Sequence, residues 1–406
     1  MRTEGDRLAY LDGLRGLAVL LVLLFHAWVY LISLSPSAGP AQSAAWQIGQ
    51  YWGNEGVSLF LVLSGFCLAL GPLARRAKGD PVWFRPSEFF ARRCLRILPT
   101  YYAALATCVA FRAVCAWRQW PAFGSESGYG LGFGDIFTHA LLIHNLTPYT
   151  YALNGPFWSL ALEWQWYWVF PVVLLGVMRR PRLTLAAAAC LSCVWTLCVV
   201  YFALTGHGSA PPLLGVGQAP AAVPARLFEF TCGVAAARLA TRSVTAVRLS
   251  ALLPILACLL FAGTLLVWPL TAAYGMNSLL GGAAFATVVV LAGRSPALCR
   301  MLGRGPLVRL GVVSYSVYLA HLLPLQPLEY LLVGRVPGAF AACAGVIVGI
   351  VAGLILYACV ERWSIRRSTW EQWGVRIVAC LAWTDAAYSR RRMDQNAAPE
   401  SASAPA

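Results

Sequence analysis

The sequence predicts an all-α polytopic membrane protein with about ten transmembrane helices and both termini in the cytoplasm. Composition, the length of the apolar runs and the placement of arginine lead to this prediction. Hydrophobic residues make up 59% of the 406 residues and charged residues only 12%, which is about half the charged fraction of a soluble protein. The mean hydropathy is +0.65. These values exclude a chain built of soluble domains.

Apolar runs recur along most of the chain. A helix that crosses the hydrocarbon core of a bilayer needs roughly 20 residues. Segments of about this length are predicted near 8–33, 54–73, 95–116, 156–178, 183–204, 223–241, 249–269, 272–292, 309–333 and 337–360.

Basic residues fix the predicted orientation. The net charge is +15, and almost all of it is arginine because Lys78 is the single lysine. A basic chain often binds nucleic acid, but here the arginines occupy short loops between apolar runs, so we expect no nucleic-acid partner. With a cytoplasmic N-terminus, the inner loops take most of the arginines, and the outer loops hold little more than Arg118 and Arg335. This asymmetry follows the positive-inside rule.

The domain organisation follows from the same pattern. Residues 1–361 are predicted to form the transmembrane domain and 362–392 a juxtamembrane helix on the inner surface. Within that helix, Thr369–Trp383 mixes tryptophan with charged residues, which is typical of an interfacial position. The Ala-, Pro- and Ser-rich segment 393–406 is predicted to be a disordered tail.

One outer loop, 117–155, is long and rich in Gly, Tyr and Trp. Its apolar piece Ile136–Leu146 is too short to cross a bilayer, so we expect a re-entrant or interfacial helix. His139 and His144 in this piece are interpreted as interfacial polar residues, with a role in lining a site as the alternative.

The first predicted helix carries three ionisable residues, Asp12, Arg15 and His26. At 100° per residue all three share one face, and Arg15 and His26 lie about 16 Å apart along the axis. Ionisable groups inside a membrane are costly and need partners. Arg15 is therefore expected to pair with Asp12 or to hold an anionic part of a ligand, while His26 suits a general base. A packing role for His26 is the alternative.

Further candidates lie in the predicted helix 156–178 and in the inner loop Phe89–Tyr102. Glu163 is expected to orient the imidazole of His26, or else to be a buried structural carboxylate. Arg93 and Arg96 are three residues apart and can grip one polyanion together with Arg92. Positive-inside anchoring alone would also explain these arginines.

Several residues are weaker candidates. Arg226 and Glu229 are interpreted as a structural ion pair, and Ser64 as a site of close helix packing with a minor chance of lining a pocket. His321 lies beside Tyr315 and Tyr318 and either lines the site or makes a core hydrogen bond. The predicted pocket also includes Trp158 and Tyr167, which flank Glu163.

Neither a metal site nor a soluble catalytic motif is predicted. Most cysteines, such as Cys67, Cys190 and Cys258, lie inside apolar runs, where a thiol behaves as a small hydrophobic group. The sequence contains no GxSxG, no Walker loop and no HExxH motif, and these are signatures of common soluble catalytic sites. We therefore expect chemistry without a metal.

Over roughly residues 8–361 the sequence resembles the acyltransferase-3 family of integral membrane O-acyltransferases. The matching blocks occur in the family's order: LDGLRGLAVLLVLLFH, GVSLFLVLSGF, FFARRCLRILPTYY, GPFWSLALEWQWYWVFP, RLFEFTCG and LGVVSYSVYLAH. In this resemblance His26 takes the catalytic histidine position, Arg15 its paired arginine, and Arg93 and Arg96 the Arg-x-x-Arg motif. Trp164 follows Glu163 where the family usually has a second acid.

The resemblance implies acyl transfer from acyl-CoA, with acetyl-CoA as the expected donor, to a hydroxyl of a sugar or small glycosylated molecule. It also implies membrane lipids as partners and a location in the bacterial plasma (inner) membrane. Two alternatives remain open. A transporter or flippase would use the polar face as a translocation path, and a non-catalytic scaffold would have no use for Asp12, Arg15, His26 and Glu163 together.

Overall fold

The computed structural model describes residues 4–29, 40–80, 83–120, 130–205, 221–241, 254–264, 277–332 and 335–365, and this part of the chain is helical without strands. The longer helices in the first half are α1 (Glu4–Trp28), α2 (Pro40–Ala77), α3 (Pro86–Trp117), α5 (Phe157–Arg179) and α6 (Pro181–Thr205), with the short α4 (Phe133–Ala140) between α3 and α5. The second half contains α7 (Val223–Ala240), α8 (Pro254–Thr264), α9 (Asn277–Arg294), α10 (Pro296–Leu302), α11 (Pro306–Val312), α12 (Ser314–Ala320), α13 (Leu322–Leu332), α14 (Gly338–Leu356) and α15 (Arg362–Ser364).

Among the described residues, six helices are long and apolar enough to cross a membrane, and the count becomes seven if α9 and α10, which are bent by 101°, form one span. The six correspond to six of the ten predicted segments. The structure therefore confirms an all-α protein with several membrane-spanning helices. The number ten and the cytoplasmic termini stay predictions.

The predicted span 309–333 is not one helix. It contains the end of α11, then α12 and α13, and the helices are separated by turns at Val313 and His321. Hydropathy does not predict these interruptions, because it measures the apolar content of a segment and carries no information on where a helix is interrupted. This broken segment brings several polar side chains to the interior.

Helix α1 lies at the centre of the described bundle and packs against α2, α10, α11, α12 and α14. Its closest approach is to α11, where a methyl group added at Gly16 or Gly311 would overlap a backbone carbonyl of the facing helix. A similar close crossing joins α2 to α7 through Gly65 and Gly233. Small residues permit such close crossings in membrane helices, and this confirms the predicted packing role of the Ser64–Gly65 step.

Large apolar side chains fill the space between α2, α5 and α7. Trp166 and Phe230 are fully buried, with ring centroids 4.8 Å apart. Other large apolar residues point outward, such as Trp168 on α5 and Phe340 on α14, which are 61% and 76% exposed. A surface of this kind is suited to lipid.

Two predicted features at the C-terminus, the interfacial helix Thr369–Trp383 and the tail 393–406, lie outside the described residues. The predicted helix within Ile136–Leu146 is confirmed only as the end of α4 and a single 3₁₀ turn at His144–Leu146. Both pieces are too short to span a bilayer.

Candidate active site

A cavity of about 190 Å³ opens between α1, α2, α3, α5 and α12. Its charged lining consists of Arg15, Arg93, Arg96 and Glu163. We call it the arginine-lined cavity. Its uncharged polar lining consists of Ser64, Cys67, Ser159, Ser314, Tyr315 and Tyr318. Five predicted site residues, from four different helices, therefore meet at one cavity: Arg15, Ser64, Arg93, Arg96 and Glu163.

Arg15 has two side-chain partners in the described structure. One terminal nitrogen lies 2.7 Å from Asp12 Oδ1, which confirms the predicted pair one turn apart on α1. The other donates to Cys67 Sγ at 3.1 Å. The interpretation of Cys67 as only a small hydrophobic residue is therefore wrong, because its sulfur faces a guanidinium inside the cavity. Asp12 itself does not line the cavity and acts on it through Arg15.

Glu163 occupies a different place from the predicted one. Its Oε1 accepts hydrogen bonds from Ser64 Oγ at 3.1 Å and Tyr167 Oη at 2.8 Å. The expectation that Glu163 orients His26 is wrong for this structure, because the carboxylate lies with Arg15 in the cavity. Counting residues from helix ends misjudged its depth, since that count assumes that all helices begin in one plane.

The three arginines of α3 divide into two groups. Arg93 and Arg96 line the cavity, and the Arg93 guanidinium also lies 6.0 Å from the centroid of the Tyr167 ring. Arg92 instead pairs with Glu88 at 2.7 Å, and both side chains are about two-fifths exposed, at 39% and 41%. Residues three apart share a helix face whereas neighbours differ by 100°. Arg92 therefore does not join the cavity, contrary to the prediction.

His26 and His321 lie outside the cavity lining and face each other. His321 Nε2 is 3.2 Å from His26 Nδ1, and His321 is completely buried. Tyr318 connects this pair to the cavity: its ring lies 5.9 Å from that of His321, while its hydroxyl is 2.6 Å from Ser159 Oγ. Of the two roles predicted for His321, lining the pocket is wrong and a core hydrogen bond is confirmed, because the buried ring bonds backbone carbonyls and contacts His26.

A second group of buried charges lies elsewhere along α2. Arg226 and Glu229 pair at 3.0 Å with side chains only 1% and 0% exposed, which confirms the predicted ion pair. Ser58 donates to Glu229 at 2.7 Å. Glu55 is also buried, and its carboxylate oxygens have no hydrogen-bond partner in the described structure. We call these four residues the Arg226 cluster.

Trp158 belongs to the same neighbourhood as this second group. The guanidinium of Arg226 lies 6.0 Å from the centroid of its indole ring. Trp158 is not among the residues that line the arginine-lined cavity, whereas its neighbour Ser159 is. Tyr167 is also not a lining residue, and it contacts the lining through its hydrogen bond to Glu163 and through its ring beside Arg93.

His139 and His144 form a buried pair in the segment between α3 and α5. Their rings stack with centroids 3.8 Å apart and planes at 6°, and neither side chain is exposed. Burial lowers the pKa of His139 to about 4. Burial and the neighbouring His139 hold the pKa of His144 well below its usual value. The pair does not line the arginine-lined cavity, so the alternative role of lining that site is not found, and the interfacial position stays a prediction.

Sequence reasoning overlooked three polar residues of the cavity, Cys67, Ser159 and Ser314. Each lies within an apolar segment, where small polar residues commonly serve helix packing. Only their position beside arginine, tyrosine or glutamate in the folded chain marks them as part of a site.

A family model described as an acyltransferase domain, Acyl_transf_3, matches residues 8–358. The chain belongs to this family. The resemblance found in the sequence is therefore confirmed, and the protein is a membrane O-acyltransferase.

Two relatives support the assignment. The acyltransferase is 28% identical over 361 residues to BcsY of Komagataeibacter xylinus, which is named as a membrane-bound transacylase, and the match covers 87% of this chain and 81% of the relative. It is 26% identical over 200 residues to OatA of Listeria monocytogenes, a peptidoglycan O-acetyltransferase, covering 46% of this chain and 28% of that relative. No solved structure matches the chain.

Proposed function

We propose that this acyltransferase moves an acyl group, with acetyl the expected one, from acyl-CoA to a hydroxyl of a sugar, glycan or glycosylated small molecule. We place the reaction at the plasma membrane of a bacterium, with the donor supplied from the cytoplasm. The observation that supports this proposal most directly is the convergence of Arg15, Arg93 and Arg96 on one cavity.

The charge of this cavity favours an anionic donor. Three guanidinium groups face a single carboxylate, Glu163, among the lining residues. Arginine binds phosphate through forked, charge-assisted hydrogen bonds that are stronger than neutral ones. Arg93 and Arg96 are the proposed contacts for the phosphates of acyl-CoA, while Arg15, held by Asp12, extends the positive surface toward the interior. Glu163 offsets part of this charge and fixes Ser64 and Tyr167.

The proposed chemistry takes place at His26. His26 accepts the proton of the acceptor hydroxyl while that oxygen attacks the thioester carbonyl, and collapse of the tetrahedral intermediate releases CoA as its thiolate. Arg15 and His26 are about 16 Å apart along α1. A donor bound at the arginines therefore has to be long and extended to bring its thioester to His26, and the pantetheine arm of CoA has this form.

A transporter or flippase is the competing function. It would move a substrate along the polar face of α1 without consuming acyl-CoA. Family membership and the two named relatives favour acyl transfer. CoA release that depends on both donor and acceptor separates the two functions, because transport alone leaves the thioester intact.

The test uses the full chain in lipid vesicles, with acetyl-CoA as donor and peptidoglycan fragments among the hydroxyl acceptors. His26→Ala should lower acyl transfer by at least about 100-fold, since general base catalysis contributes 10²–10⁴-fold. Leu24→Ala is the matched control, because Leu24 lies on the same helix with 49% of its surface exposed. Retained transfer in a folded His26→Ala protein would remove His26 from the mechanism.

A further inference from the structure

The contact between His26 and His321 carries information about which ring nitrogen is protonated. His321 Nε2 lies 3.2 Å from His26 Nδ1, and the two rings meet edge to face at 62° with centroids 4.8 Å apart. At this distance one nitrogen has to carry a hydrogen and the other a lone pair. Backbone carbonyls next to both rings decide which is which, because a carbonyl oxygen only accepts hydrogen bonds.

On His321 the carbonyls fix the hydrogen at Nδ1. This nitrogen lies 2.8 Å from the carbonyl oxygen of Tyr318 and 3.1 Å from that of Val317. Nδ1 therefore carries the hydrogen. In a neutral imidazole the other nitrogen, Nε2, then presents its lone pair to His26.

On His26 the same reasoning gives the same tautomer. Its Nδ1 lies 2.9 Å from the carbonyl oxygen of Val22 as well as beside His321 Nε2. Both neighbours are acceptors, so Nδ1 of His26 carries a hydrogen that the two acceptors share. The reverse arrangement, with His321 donating, would point a lone pair of His26 at the Val22 carbonyl.

We propose that His321 is a positioning residue that, together with the Val22 carbonyl, holds His26 in the Nδ1–H tautomer, so that Nε2 is the nitrogen that takes the acceptor's proton. This inference rests on the proposed function, in which His26 is the general base. It assigns to a second histidine the orienting role that a carboxylate has in other catalytic sites.

The packing around His321 holds its ring in place. On α14, a methyl group added at Gly349 would lie 3.1 Å from His321 Cβ and 3.4 Å from Leu23 Cδ2 of α1. Helices α1, α12 and α14 thus meet at this point without spare room. A site supported by packed helices keeps its geometry more closely than one supported by loops.

The first experiment observes the tautomer directly by ¹⁵N NMR of the histidine-labelled full chain in lipid. The chain has five histidines, and the signals of His26 are those that the His26→Ala protein lacks. His26 should show a protonated Nδ1 and an unprotonated Nε2. In His321→Leu the hydrogen at Nδ1 keeps the Val22 carbonyl but loses His321 as an acceptor, so the fraction of His26 in the other tautomer should rise. A wild-type His26 protonated at Nε2, or a tautomer unchanged in His321→Leu, would overturn the proposal.

The second experiment is kinetic and uses acetyl-CoA as the donor. His321→Leu should lower kcat about 10- to 100-fold, the range seen when the residue that orients a metal-ligating histidine is removed, with little change in KM for acetyl-CoA. His321→Gln should recover part of the loss, because its side-chain carbonyl can accept from His26 Nδ1–H. Equal kcat losses in both variants, or a full kcat in His321→Leu, contradict the proposal.

These results also separate failure of this inference from failure of the proposed function. An active His26→Ala protein would refute the base assignment, while the NMR measurement would still decide whether His321 sets the tautomer. An inactive His26→Ala protein together with a fully active His321→Leu protein would refute only the role of His321.

Discussion

Two serines of α2 each donate a hydrogen bond to a glutamate of another helix, and the two glutamates lie in different surroundings. Ser64 bonds Glu163 at the arginine-lined cavity, whereas Ser58 bonds Glu229 in the Arg226 cluster. At the cavity, the side chains of the ion pair Arg15–Asp12 are 23% and 31% exposed. In the Arg226 cluster, the side chains of Arg226 and Glu229 are only 1% and 0% exposed.

The comparison shows that buried charge alone does not identify a functional site. Both regions place arginine and carboxylate inside apolar helices, where such groups are costly. In the Arg226 cluster, Arg226 and Ser58 both bond Glu229 in a packed interior, and Glu55 is buried near them. At the cavity the arginines outnumber the carboxylates and adjoin open space, so they have the capacity to bind an anion. Space and excess charge, together, distinguish a binding region from a structural pair.

The largest effect is expected from breaking the buried pair. Arg226→Leu leaves Glu229 buried without its counter-charge, which should destabilise the fold by about 3–5 kcal/mol. The measurement is the thermal unfolding midpoint of the detergent-solubilised protein. The double variant Arg226→Met with Glu229→Leu should be clearly more stable than the single variant, because it also removes the Glu229 carboxylate that the single variant leaves without its counter-charge. An Arg226→Leu protein as stable as wild type would show that the pair is not structural.

A smaller effect, on binding rather than folding, is expected at the cavity. Changing both Arg93 and Arg96 to alanine should raise KM for acetyl-CoA at least tenfold, because a hydrogen bond to a charged group contributes about 1.5–3 kcal/mol. The thermal midpoint should stay near that of wild type. Arg92→Ala is the control, since its exposed pair with Glu88 contributes about 0–1 kcal/mol. Equal KM values in the double variant and in Arg92→Ala would show that Arg93 and Arg96 serve only to orient the protein in the membrane.

The smallest effects come from the two serines, which form a matched test of the comparison. Ser58→Ala removes a partner from a fully buried carboxylate and should lower stability by about 1–3 kcal/mol. Ser64→Ala should cost less than about 1 kcal/mol, because Glu163 keeps its bond to Tyr167 and lies beside the cavity. Thermal midpoints measured side by side decide the order, and a larger loss in Ser64→Ala would reverse our interpretation of the two regions.

Sequence reasoning succeeded where the evidence was local. Helix α5, predicted at 156–178, spans Phe157–Arg179 in the structure. The pairs Asp12–Arg15 and Arg226–Glu229 were also predicted correctly. In each case the information lies in the length of an apolar run or in two side chains three positions apart on one helix. Side chains three positions apart lie on the same face because the helix has 3.6 residues per turn.

The tertiary structure alone decided how these pieces meet. His321 lies 295 positions from His26, and no periodicity links residues that far apart. The level of Glu163, the separation of Arg92 from the cavity, and the burial of His139 and His144 depend on helix offsets and on how the chain turns between helices. The sequence by itself determined six apolar helices of membrane-spanning length among the described residues and the polar face of α1, because these depend on run length and spacing along one helix. Packing between helices decided which partners that face acquires, because the contacts come from distant segments whose relative heights are set only in the assembled bundle.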